Sequence, residues 1–194
     1  MKTRTYSKSI AEAINTFLTE DDWNFHFNEN KGIFKFSFGP FWEIRTINYT
    51  VLVREDNYDV DATLSLGVDI NNEQQLMSMA EFVCRANYGL IGGRFEFNMQ
   101  DGKIRYSHFT DCDEITPSKA MIFNSIYRPI AMVDIYAKGI INVLFKDMSA
   151  KEAIDKCENH SESSSHEERH DFDESKTIPT QFEANLNNKE SISN

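Results

Sequence analysis

The 194-residue sequence predicts an α+β fold: an antiparallel sheet, made of a four-stranded meander plus a hairpin, with helices packed on one side. Three observations carry this. Aromatic and β-branched residues alternate with polar ones from Trp23 to Val68, a period of two that marks strands with one buried face. A second alternating pair, Phe95-Glu96-Phe97 and Ile104-Arg105-Tyr106, brackets Asp101-Gly102, which supplies the positive backbone angles of a tight hairpin turn. Between and after these segments apolar residues recur at helical spacing. The element order is then α-β-β-β-β-α-β-β-α-α.

Each element has its own local reason. Over residues 9–19, Ile10, Ile14, Phe17 and Leu18 fall on one helical stripe, and Ser9 with Glu12 has capping-box spacing. Trp23, Phe25 and Phe27 alternate as a strand. Asn30-Lys31-Gly32 turns the chain into Phe34, Phe36 and Phe38, and Gly39-Pro40 punctuates the run. Ile44 to Val53 and Val60 to Val68 are two further strands, joined by the polar segment Glu55-Asp56-Asn57-Tyr58-Asp59. A second helix starts near Asn71 or Asn72, carries Leu76, Met79, Ala80, Val83 and Asn87, and ends at Gly89 in the left-handed conformation.

The hairpin follows, with Phe95, Phe97 and Met99 on one apolar face. Thr116 as cap and Pro117 in the first turn open a third helical stretch, apolar from Met121 to Leu144. Pro129 inside it removes a backbone donor and favours a kink or a break into two helices. Ser149 and Glu152 repeat the capping-box spacing and start a final helix to about Cys157. Residues 158–194, rich in Ser, Glu, Asn and Asp, offer too little apolar surface to offset ordering entropy, so 1–157 reads as the domain and 158–194 as a disordered acidic tail.

Composition excludes some classes of function. The net charge is −11 and the pI about 4.9, which opposes the counterion displacement that nonspecific nucleic-acid binding needs. No run of about 20 apolar residues predicts a membrane span, and no apolar stretch follows the basic start as in a signal peptide. Three widely spaced cysteines, Cys84, Cys112 and Cys157, suit a reducing compartment. The chain is expected to be cytoplasmic, without nucleic acid or membrane as partner.

Candidate chemistry is sparse. His160, His166 and His170 lie among acidic residues, the last two at i, i+4 as on one metal-binding helical face. Neighbouring carboxylates favour protonated imidazoles that compete with metal, so the segment reads as a solvated tail. Cys112 sits beside Asp111, Asp113 and Glu114, the opposite of the positive surroundings a reactive thiol needs, and reads as an inert loop cysteine. Cys84, one position past its apolar stripe, reads as core. Gly89-Leu90-Ile91-Gly92-Gly93 runs from helix to strand, the wrong order for a phosphate loop. Arg85 and Arg94 either face an acidic partner or pair with surface carboxylates. The rows Trp23/Phe25/Phe27 and Phe34/Phe36/Phe38 match a base-stacking platform in type, but three helices need a sheet face to cover, and these rows are the natural one. No catalytic, cofactor-binding, metal or partner-binding residue is assigned, and no cofactor is called for.

Cys84-Arg85-Ala86-Asn87-Tyr88, Gly93-Arg94-Phe95-Glu96-Phe97, Asp101-Gly102, the Pro117 helix with Asp134 and Tyr136, and Ser149-Ala150-Lys151-Glu152-Ala153-Ile154 occur in an order that resembles the YbjN family, and more broadly the type III secretion chaperone-like fold. The resemblance covers roughly residues 8–157. It implies an often dimeric α+β domain of bacterial cytoplasm with regulatory associations and no agreed catalytic residues; the related secretion chaperones bind extended segments of other proteins. The expected function is a non-catalytic protein-interaction domain, a regulatory adaptor or a chaperone-like binder of polypeptides. The alternative is a small-ligand sensor or enzyme with a site assembled from scattered residues. A homodimer is expected from the resemblance and from the apolar excess between Met121 and Leu144, which must be buried by kinking at Pro129 or by a second subunit.

Overall fold

The stripe Ile10, Ile14, Phe17 and Leu18 forms helix α1 (Lys8–Glu20) and is buried along its length. The computed structural model, which describes residues 5–164, moves its cap from Ser9 to Ser7. Ser7 Oγ accepts from the Ile10 N–H at 3.3 Å, while Ser7 N–H donates to the Arg54 carbonyl at 2.9 Å. That second bond ties the helix entry to the sheet, which capping-box spacing alone does not register.

Period-two alternation produces six strands: β1 (Phe25–Asn28), β2 (Ile33–Phe41), β3 (Arg45–Val53), β4 (Asn57–Gly67), β5 (Arg94–Asn98) and β6 (Lys103–Asp111). They form one antiparallel sheet in the order β1-β2-β3-β4-β6-β5. The hairpin therefore docks through its second strand and leaves β5 on the outside. Register runs one row across all six strands, Phe25–Phe36–Tyr49–Ala62–Tyr106–Phe95, on the face beneath the helices. The adjacent row, His26–Lys35–Thr50–Asp61–Ser107–Arg94, lies on the open face.

Three turns differ from expectation. Gly39-Pro40 lies inside β2, at a register shift between Phe38 and Phe41, and a 3-10 turn, Trp42–Ile44, makes the corner. The polar run Glu55–Asp59 is a connection only at Glu55-Asp56: Arg54 N–H donates to the Asn57 carbonyl at 2.8 Å, and β4 starts at Asn57. Asn57 and Asp59 belong to the open face, and Tyr58 between them is fully buried. In the β5–β6 hairpin only Gly102 takes a positive φ, of +70°; Asp101 instead accepts from the Lys103 N–H at 3.2 Å. The apolar face also ends sooner than expected, since Met99 is exposed.

Above the sheet, α3 (Lys119–Phe145) crosses β4 and β6, α2 (Glu73–Asn87) packs on β5 and α3, and α1 packs on α3. Ser118, not Thr116, caps α3: its Oγ accepts from Met121 N–H at 3.2 Å, and buried Pro117 lies just before the helix. The helix runs through Pro129 without a break. In the turn before Pro129, two core tyrosines reach it from the sheet. Tyr49 OH donates to the Ile126 carbonyl at 2.9 Å, and Tyr58 OH to Ser125 Oγ at 3.1 Å, which passes a bond to the Ile122 carbonyl at 2.8 Å.

Asn72 caps α2 as expected, with its side chain accepting from Gln75 N–H at 3.0 Å. Gly89, however, is not left-handed; positive φ falls at Gly92 (+80°) and Gly93 (+152°), where the chain turns into β5. Helix α4 (Ala150–Ser164) is capped by Ser149, with Glu152 N–H donating to Ser149 Oγ at 3.3 Å. It runs on past Cys157: Ala150, Ala153, Ile154 and Cys157 form its buried stripe, and just beyond them Tyr136 OH donates to Glu158 at 3.4 Å. The rest of the expected tail, 165–194, lies outside the described residues. Among the described residues the fold is thus α+β, four helices against a six-stranded antiparallel sheet.

Candidate functional site

The end of α2 and its exit into β5 gather the polar side chains that the helix face buries. Asn87, the last residue of α2, uses both ends of its carboxamide on Phe95. Its Oδ1 accepts from Phe95 N–H and its Nδ2 donates to the Phe95 carbonyl, each at 2.8 Å. Between them the segment 88–93 is held from two more elements. Arg128 of α3 donates from Nη1 to the Ile91 carbonyl at 3.1 Å, and His108 of β6 donates from Nδ1 to the Gly92 carbonyl. A side chain at Gly93 would collide with the Tyr106 ring and hydroxyl, so the glycines allow the segment to lie flat on the core.

The segment's backbone is fixed while its side chains are offered to solvent. Tyr88 is 97% exposed and Ile91 84%. Burial lowers the pKa of His108; the bond to Gly92 opposes this and the Arg128 charge reinforces it. Burial also raises the pKa of Tyr106, partly offset by Arg128. At neutral pH the cluster therefore holds a guanidinium, a neutral imidazole and a neutral phenol. Tyr106 OH and Arg128 Nε, both buried, have no hydrogen-bond partner among the described residues. These are donors suited to holding backbone, without a nucleophile–base pair among them.

The open face of the sheet carries a ladder of charges. Arg105 bridges Asp61 at 2.7 Å and Glu96 at 2.5 Å, and Arg94 meets Glu96 at 2.6 Å. Burial pushes the Glu96 carboxyl up, but the two guanidiniums outweigh it and hold the pKa below its ordinary value. A shallow groove beside the hairpin is lined by Thr63, Glu96, Asn98, Asp101, Lys103 and Arg105, whose charges already compensate one another.

The residues singled out from sequence do not meet at one place. Cys84 is exposed on α2, contrary to the core reading, because Phe82 and Ala86 occupy the buried stripe. Cys112 is buried, and burial together with Asp111 pushes its thiol pKa up. Arg85 pairs with Glu81 at 2.7 Å and Arg94 with Glu96. Phe34 and Phe36 are buried on the helix side, and Trp23 packs edge-on against Phe36, Tyr49 and Tyr127. The side chain of His160, and His166 and His170 entirely, lie outside what the structure describes. Among the described residues no three His, Cys, Asp or Glu side chains are placed to share a metal.

Sequence reasoning passed over Asn87, Tyr106, His108 and Arg128 as a group. Signals existed: Asn87 is a carboxamide on an apolar stripe, His108 continues the inward alternation of Ile104 and Tyr106, and Arg128 interrupts the apolar run of α3. What the spacing could not supply was their convergence from three elements. No family model matches the chain, and no curated protein matches it at a significant level.

Proposed function

We propose that the chain is a non-catalytic protein-interaction domain, a regulatory adaptor or a chaperone-like binder of other polypeptides. The observation that carries this reading is the pinned segment 88–93. Two nearly fully exposed apolar side chains, Tyr88 and Ile91, stand on backbone held by Asn87, His108 and Arg128. Exposed aromatic and aliphatic anchors on an ordered backbone lose little conformational entropy on association, so their burial goes largely into affinity. The resemblance to the YbjN family enters as part of this proposal, resting on motif order, and so do bacterial cytoplasm and a homodimer. Among the described residues no helix is long and apolar enough to cross a membrane.

The test compares affinity capture by the wild-type chain and by a Tyr88→Ser/Ile91→Ser variant, read by quantitative mass spectrometry. Both side chains face solvent, so the melting temperature should hardly move. The expected result is a set of proteins whose recovery falls by roughly tenfold or more with the variant, as for paired hot-spot residues. Equal recovery of every captured protein would remove the segment from the binding surface.

A further inference from the structure

Among the described residues strand β5 is the last strand at its end of the sheet, a position that ordinarily presents unpaired N–H and C=O groups to any passing strand. Phe95 stands opposite Tyr106 of β6, yet its N–H goes to Asn87 Oδ1. An N–H makes one good bond, so the peptide groups of Phe95 point away from β6, and antiparallel alternation makes Phe95 and Phe97 the outward residues of this five-residue strand. A primary amide offers one carbonyl acceptor and one N–H donor in a plane, the same pair that a peptide unit presents. Asn87, bonding both Phe95 groups at 2.8 Å, fills the place of one residue in a seventh strand.

We infer that Asn87 is an edge cap that closes β5 to strand addition. With Phe95 occupied, the outward groups of Phe97 stand alone, and an incoming strand would find one two-bond position instead of two in succession. The cap also locates the interaction surface of the preceding reading: a partner that uses Tyr88 and Ile91 does so without extending the sheet at β5. Self-association through this edge is blocked by the same carboxamide. The supporting elements are rigid, since Asn87 is in the last turn of α2 and Phe95 is buried to 2% exposure.

The test uses Asn87→Leu, which keeps the branching at Cγ and removes both bonds, with Asn87→Ser measured in parallel in case the bulkier leucine chain does not fold. Amide exchange by NMR should show the Phe95 N–H of the wild type exchanging roughly tenfold or more slowly than that of Phe97, and the difference vanishing in either variant. Sedimentation equilibrium should show an average mass that rises with concentration in the variant more than in the wild type. Adding Phe97→Pro, which removes an outward N–H without touching the ladder to β6, should reverse that rise. Equal Phe95 and Phe97 exchange in the wild type would overturn the cap. So would an unchanged mass in the folded variant, or association that survives Phe97→Pro. Each of these readings stands whether or not Tyr88 and Ile91 bind a partner.

Discussion

At Gly102 the φ of +70° and the neighbouring backbone act together: the Val68 carbonyl lies where a Cβ would stand, while Val68 N–H donates to the Gly102 carbonyl at 2.9 Å. Substitution by alanine meets both left-handed strain and a carbonyl that cannot move without breaking the β4–β6 join. Gly102→Ala should lower stability by about 2 kcal/mol or more, read from the urea midpoint. His108 gives a pH dependence. Its folded pKa lies below the ordinary 6.5, so in acid the unfolded chain binds the extra proton. The stabilisation is present above pH 6.5 and is lost as pH falls toward and through the depressed value. Thermal melts between pH 7.5 and 5 should show this loss, and His108→Gln should flatten the profile. Gly102 was legible from sequence because few residues tolerate its geometry. Cys84 was not, because a helical stripe read one position off exchanges core for solvent; Phe82 and Ala86, not Ala80 and Asn87, share the buried face with Leu76, Met79 and Val83.

Among the elements, α3 is the organiser, and Gly139 is where it is approached from two sides. A methyl there would stand 2.6 Å from Cys157 Sγ on α4 and 2.7 Å from the Phe82 ring on α2. Gly139→Ala would normally favour a helix by up to about 1 kcal/mol. Here overpacking opposes that gain, and a net loss of about 1–2 kcal/mol is expected from chemical denaturation. A stabilised variant would mean that α2 and α4 part without penalty. The same crossing accounts for the apolar excess of α3. Ile122, Ile126, Ile130, Val133, Ile140, Ile141 and Leu144 are all buried within the single chain. Period and composition made the strands and helices legible. Their ends were less so, because they answer to distant groups: the Arg54 carbonyl meets the start of α1, and Tyr136 of α3 meets Glu158 of α4 beyond Cys157.

For the whole molecule, alternation told which residues share a face but not which strands are neighbours. Phe95 and Ile104 show the same inward pattern whether β5 or β6 lies beside β4; the choice belongs to long-range pairing. The candidate site was illegible for the same reason, since Asn87, His108 and Arg128 meet only after α2, β6 and α3 have docked. The order β4-β6 has a consequence for synthesis on the ribosome. The β1–β4 meander needs only local turns, and hairpins close in microseconds, yet the partner of β4 ends at Asp111. At about 5–20 residues per second, the chain from Val68 to Asp111 takes roughly 2–9 s to make. Throughout that interval β4 is an uncovered edge eleven residues long. A fragment of residues 1–89 reproduces this state and should scatter light at micromolar concentration, while the full chain does not. A fragment that stays monomeric would show that α2 or the nascent meander shields the edge before its strand arrives.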